Sequence, residues 1–238
     1  MITEQRYKDL ESAAEALARD LSDCLAHAIE MRGHALFAVS GGRTPATVFK
    51  HLRECNLEWP RITITLTDER WVPETDPASN AAMVRRELLT GPAADATFVP
   101  FYGAEPTPES GHAACETRLA GMTRSVATRD PGEHLPLFDA VYLGLGEDGH
   151  IASLFPGDPE VEAMDGLCIP VPQRDDRTAR MSLTASALLA SRSLFLLYSG
   201  AEKHRQYLRA KQPGPVAEIP LRLLCTGQDI NLKVLSTP

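Results

Sequence analysis

The apolar positions first form a helical stripe. Between residues 8 and 31, Leu10, Ala13, Ala14, Leu17, Leu21, Leu25, Ala28 and Ile29 recur at three- and four-residue spacing. That spacing predicts an amphipathic helix ending near Gly33. The pattern then changes to short, continuous apolar runs: ALFAV at 35–39, ITITLT at 62–67, FDAVYLGLG at 138–146 and LFLLYSG at 194–200, with helical segments between them. Such runs read as strands buried on both faces. Their alternation with helices predicts an α/β chain built on an open, mostly parallel sheet with helices on both faces. INLKVL at 230–235 predicts a last strand closing one sheet edge. The segment 103–136 is rich in proline, glycine and charge but carries a helical stretch around 109–126, so it reads as a crossover and not a linker. No repeat or low-complexity tract interrupts the chain, and residues 1–238 are expected to form a single domain.

Composition narrows the functional classes. A chain of 238 residues with 43% hydrophobic content can bury a full core. A net charge of −8 and a pI near 5.4, with no basic run, argue against nucleic acid or an anionic membrane as partner. A few local Arg or Lys side chains can still hold a small phosphate. Cys24, Cys55, Cys115, Cys168 and Cys225 are odd in number and contain no C-x-x-C pair, which reads as reduced, mostly buried thiols and not as a disulfide frame or zinc site. The N-terminal stretch is charged and has no apolar export core, and no run approaches the roughly 18 apolar residues of a membrane span. A cytoplasmic location is expected.

In open α/β sheets ligands bind beyond the carboxyl ends of the strands, so the residues following each apolar run carry the chemistry. After 35–39 stands SGGRTP, with Gly41 and Gly42 permitting close backbone approach, Thr44 as a natural N-cap and Pro45 suited to a first helical turn. This is either an ordinary capped turn or an anion site at a helix N-terminus. After 62–67 stands TDERWVP. Asp68, Glu69 and Arg70 could be a solvated charge cluster, but the adjacent Trp71-Val72-Pro73 suggests a loop folded back on the body that holds Asp68 or Arg70 in place.

The third loop, LGLGEDGHIASLFPG at 143–157, spells G-x-G-x-x-G with Gly144, Gly146 and Gly149. A dinucleotide fingerprint must open a long helix and be followed by a carboxylate about 20 residues on. Here Pro156 and Gly157 break the run, and LCIPV around 168 ends in no carboxylate. What remains is a glycine-rich turn presenting Asp148 and His150 at a strand end, where a histidine oriented by a carboxylate can transfer protons near neutral pH. The last feature is a pair of cations. Arg180 lies in a short predicted strand before a helix at 185–190, and Lys203 near the start of another helix. A cation at a helix N-terminus is unfavourable unless an anion joins it.

Together these segments resemble the 6-phosphogluconolactonase family over nearly the full chain. The resemblance is carried by SGGRTP at 40–45, TDERWVP at 67–73, Ser79-Asn80, GLGEDGHIASLFPG at 144–157 and RMSLT at 180–184. It implies a single Rossmann-like domain that hydrolyses 6-phosphoglucono-1,5-lactone to 6-phosphogluconate in the pentose phosphate pathway, with no metal and no cofactor. His150 matches the family's proposed general base and Asp148 its orienting partner. Arg70 matches an arginine that stabilises the oxyanion or holds substrate. Ser40, Gly41, Gly42, Arg43, Thr44, Asp68, Asn80, Arg180 and Lys203 match expected phosphate and sugar contacts. Ser182 stands where the family usually has threonine. The implied partner is a small phosphorylated sugar lactone; the oligomeric state stays open, with a monomer admissible. The related glucosamine-6-phosphate deaminases place Asn-Glu-Pro after the histidine, whereas this chain has Phe155, which cannot relay a proton. A non-catalytic sugar-phosphate sensor would have no need of Asp148, His150 and Arg70.

Overall fold

The computed structural model describes residues 1–124, 138–174, 177–227 and 230–238. In chain order the elements are β1 (Ile2–Arg6), α1 (Leu10–Arg32), β2 (Ala35–Val39), α2 (Arg43–Leu52), β3 (Ile62–Leu66), β4 (Asp68–Arg70), α3 (Asn80–Glu87), β5 (Thr97–Val99) and α4 (Pro108–Arg124). They continue with β6 (Ala140–Leu143), β7 (Cys168–Val171), β8 (Arg180–Leu183), α5 (Ala185–Leu189), β9 (Leu194–Ser199), α6 (Ala201–Ala210), α7 (Arg222–Cys225) and β10 (Leu232–Thr237). The predicted crossover at 103–136 carries α4; residues 125–136 lie outside the described ones.

Seven strands form one sheet in the order β1-β10-β9-β6-β2-β3-β5, and every neighbouring pair in it is parallel. All five residues of β2 and of β3 are buried, so both faces of the sheet centre are covered, as an α/β sheet requires. Helix α1 begins at Asp9, whose carboxylate accepts from Ser12 N at 2.8 Å, and ends at Gly33 with φ +75°. Its buried stripe, including Leu17, Leu21 and Leu25, joins the core formed by Phe37, Ile64, Val141 and Leu196.

Two expectations change. The predicted final strand is not an edge: β10 lies between β9 and β1, and β1 closes that side. β1 escaped detection because all five of its residues are exposed; it is held through backbone pairing and leaves no apolar alternation to read. TDERWVP is also not a loop. Asp68–Arg70 is β4, pairing antiparallel with β8 in a second sheet of order β4-β8-β7, and Trp71 folds back, buried, with Nε1 donating to Glu105 O at 2.9 Å.

Candidate active site

The strand order places the site. From β2 the chain moves outward through β3 and β5, and from β6 it moves the opposite way through β9 and β10, so the winding direction reverses between the neighbours β2 and β6. The segments leaving their carboxyl ends diverge there and open a crevice. Ser40 follows β2 and Gly144 follows β6; Ser40 N donates to Tyr142 O at 3.0 Å, which keeps the two exits side by side. β3 and β9 flank this pair, so the segments carrying residues 40–44, Asp68–Arg70, residues 148–150 and Lys203 follow four adjacent strands, while Arg180 comes from β8 of the second sheet.

One side of the cleft is built from helix starts. Gly42, not Thr44, caps α2: its φ of +116° suits glycine, and Thr44 falls inside the first turn, where its hydroxyl makes no cap. First-turn N–H groups have no intrahelical acceptor, so those of Arg43 and Thr44 remain available to an anion. Helix α6 likewise starts on a glycine, Gly200 at φ +100°, without a side-chain cap, and carries Lys203 in its first turn. Lys203 has no ion-pair partner among the described residues. One cleft of about 210 Å³ is lined by Arg43, Arg70, Arg180 and Lys203, with Asp68 the sole carboxylate on its wall among the described residues. A chain of net charge −8 therefore concentrates cations where its strands end.

The glycine-rich turn after β6 seats Asp148 and His150. Asp148 Oδ1 lies 2.6 Å from His150 Nδ1 and accepts the His150 backbone N–H at 3.0 Å. With Nδ1 engaged, Nε2 is the imidazole nitrogen left for the cleft, which His150 lines. Burial alone would push the Asp148 carboxyl up, but the hydrogen bond and charge of His150 outweigh it and hold that carboxyl below the ordinary carboxylate range. Gly146 is glycine because of close approach: a Cβ there would stand 2.1 Å from His150 Nδ1 and 2.6 Å from Asp148 Oδ1. The Phe155 ring packs against the imidazole with centroids 4.5 Å apart, so one face of His150 is apolar.

Arg70 and Arg180 meet through sheet register. They are directly opposed partners in β4 and β8, an arrangement that like charges disfavour unless an anion lies between or beside them. Arg70 Nη1 donates to Ala78 O at 2.7 Å and to Asn80 Oδ1 at 3.1 Å, while Arg70 Nε and Arg180 Nε are buried without a protein partner. Asn80 Nδ2 in turn donates to Asp68 O at 2.9 Å. Asp68 Oδ2 accepts from Ser153 Oγ at 2.5 Å and lies 3.6 Å from Arg180 Nη1. Under this layer Glu69 is buried and accepts the N–H groups of Arg70 (2.8 Å), Asn80 (2.7 Å) and Ala81 (2.7 Å) and the Ser79 hydroxyl (3.1 Å). It thus fastens the start of α3 to β4. Burial pushes its carboxyl up to about 7 against those backbone donors.

Eleven of the twelve candidate residues line this one cleft, and the twelfth, Asp148, reaches it through His150. Sequence reasoning passed over Ser153 and the anchoring role of Glu69. Ser153 sits in the turn after His150 with no periodicity to mark it; its hydroxyl matters because Asp68 and Arg180 close around it. Glu69 was visible as a charge, but its cap on α3 spans a turn that local pattern does not reveal. Ser182 keeps a hydroxyl at its position, where Oγ accepts from Ser153 N at 3.2 Å.

Comparison with known proteins gives a consistent result. The family model described as glucosamine-6-phosphate isomerases/6-phosphogluconolactonase matches residues 8–232. The 6-phosphogluconolactonase of Rhizobium meliloti is 37% identical over 98% of this chain and 97% of its own. That of Caulobacter vibrioides is 38% identical over 84% of this chain and 83% of its own. The crystal structure of a 6-phosphogluconolactonase from Shewanella baltica superposes with a TM-score of 0.90 at 29% identity, covering 100% of this chain and 98% of that one.

Proposed function

The chain belongs to the family of glucosamine-6-phosphate isomerases and 6-phosphogluconolactonases, and from that membership we infer that it hydrolyses 6-phospho-D-glucono-1,5-lactone to 6-phospho-D-gluconate, the lactone step of the oxidative pentose phosphate pathway. The His150–Asp148 pair beside a cation-lined cleft is the observation that supports it, since it sets a base next to a wall that attracts anions. The Phe155 face on the imidazole favours ester hydrolysis over deamination, which needs a further proton carrier there.

His150 Nε2 takes a proton from water as the water oxygen attacks the lactone carbonyl carbon. The carbonyl electrons move onto oxygen, where the Arg70 guanidinium stabilises the oxyanion. Collapse breaks the bond to the ring oxygen, which receives the proton from the imidazolium, leaving a carboxylic acid that ionises and a free hydroxyl. Asp148 holds the imidazole with Nδ1 protonated and favours the imidazolium. Ser40, Gly41, Gly42, Arg43, Thr44 and Lys203 grip the distant phosphate, while Asp68, Asn80 and Arg180 hold the sugar. Neither metal nor cofactor takes part in these steps. The whole chain, 1–238, works as one domain in the cytoplasm on a small molecule, with neither nucleic acid nor membrane as partner. A monomer suffices, since one chain lines the cleft; no helix among the described residues is long and apolar enough to cross a membrane.

The test is the enzyme-dependent excess over spontaneous hydrolysis, measured on the phosphorylated lactone and on its unphosphorylated analogue. His150→Ala should abolish that excess while leaving phosphosugar binding largely intact; near wild-type turnover in this variant would remove His150 as the base. Ammonia release from glucosamine 6-phosphate without lactone turnover would favour deamination. Phosphosugar binding with turnover of neither would favour a sensor.

A further inference from the structure

Away from the cleft, α4 and the start of β7 bring together a second set of donor side chains. His112, Cys115 and Glu116 occupy positions i, i+3 and i+4 of α4, a spacing that puts them on one face. Cys168 is the first residue of β7. Donor atoms of His112, Glu116 and Cys168 all lie within 4.8 Å of one another, and His112 Nε2 stands 3.6 Å from Glu116 Oε1. Cys115 and Cys168 are both buried. These four residues include both of the fully buried cysteines of a chain whose scattered thiols contain no C-x-x-C pair.

We propose that His112, Glu116 and Cys168, with the fourth position left for water, form an accessory site for a borderline-soft divalent cation of the zinc class. One imidazole, one carboxylate and one thiol match that ion's preferences, and bond lengths of about 2.0–2.3 Å place tetrahedral donors roughly 3.3–3.8 Å apart. The His112–Glu116 separation already meets that spacing, and the remaining donors need to close by about 1 Å at most to reach it. The surroundings are arranged to hold the ligands. Glu116 Oε1 accepts from Leu167 N at 2.6 Å and Cys168 N at 2.8 Å, which ties the β7 start to α4 and fixes the carboxylate beside His112. His112 Nε2 donates to Cys168 O at 2.9 Å and would exchange that acceptor for the cation. His112 and Glu116 are partly exposed and give the ion an entry from solvent, while the Cys168 sulfur is buried. On binding, one metal–sulfur bond forms and the Cys168 thiol passes its proton to solvent.

The experiment titrates the chelator-stripped, fully reduced full chain with Co(II) alone. A thiolate-to-cobalt charge-transfer band in the near ultraviolet, saturating at one equivalent and displaced by Zn(II), is expected. Cys168→Ser should remove the band. His112→Ala, at a partly exposed position that threatens folding least, should weaken Co(II) binding at least about tenfold, as loss of a metal-site contact does. Lactone hydrolysis by His112→Ala without added metal should be unchanged, because His112 does not line the cleft. A flat titration, a band that survives Cys168→Ser, or a band abolished by His150→Ala instead would overturn the site.

Discussion

Replacing Asp148 by Asn tests whether this carboxylate acts through His150 or on the substrate. In the proposed mechanism the transition state carries an imidazolium, and Asp148 Oδ1 sits 2.6 Å from the His150 Nδ1. Opposite charges about 4 Å apart interact by about 4 kcal/mol at an effective dielectric constant of 20 and by about 1 kcal/mol in bulk water. Side-chain exposures of 50% for Asp148 and 29% for His150 put this pair between those limits and require discounting for solvent screening. A loss of about 2 kcal/mol, or roughly 30-fold in kcat, follows. The loss should not be much larger, because the His150 backbone N–H at 3.0 Å holds the Asn oxygen in the old Oδ1 position, so Nδ1–H keeps an acceptor and Nε2 stays the base. The assay is the excess rate over spontaneous lactone hydrolysis across substrate concentration and pH. Because the wild-type carboxyl is held below the ordinary carboxylate range, its support of the imidazolium persists through that range. It disappears only as pH falls through the lowered value, where wild type and variant converge. The same sign applies to stability: the pair stabilises the fold above the ordinary Asp pKa and loses that contribution on further acidification. A kcat loss below about threefold, or an effect confined to KM, would refute the orienting role.

Three further outcomes follow from the geometry. Gly146→Ala should cost at least as much kcat as Asp148→Asn, about 30-fold or more, since the added Cβ would stand 2.1 Å from His150 Nδ1; activity together with an unchanged circular dichroism spectrum separates this from unfolding. Lys203→Ala should raise KM for the phosphorylated lactone about 10- to 100-fold, the worth of one charged hydrogen bond, with kcat nearly unchanged and little effect on the unphosphorylated analogue. Glu69, pushed up to about 7 by burial, binds its proton more tightly folded than unfolded, so its contribution to stability falls as pH rises from about 4.5 to about 7. Glu69→Gln removes that slope, and urea denaturation at pH 5 and pH 8 should show the stability difference between wild type and variant change by about 2–3 kcal/mol.

Much of this was legible along the chain because the signals are local. Helix α1 announced itself by its 3.6-residue stripe and by Gly33, and β2, β3, β6 and β9 by apolar runs buried on both faces. Where the local signal was weak or shared, tertiary context decided. β1 has only exposed residues and is a strand because β10 offers it a parallel edge. Thr44 fits a cap as well as Gly42 does by type, but the backbone turns at Gly42, where φ reaches +116°.

For the site, the sequence by itself determined which chemical groups stand at the strand ends: Asp148 and His150 in a glycine turn, arginines after β3 and in β8, and a glycine pair before α2. Residue type and strand-end position are local properties, readable one segment at a time. Only the tertiary structure decided that these ends converge, because β2 and β6 are neighbours at the point where the winding reverses. It likewise set Arg70 opposite Arg180, closed Ser153 onto Asp68 and brought Cys168 to the face of α4. Those contacts join segments far apart in the chain, and their geometry is fixed by sheet register and packing, which no short stretch of sequence contains.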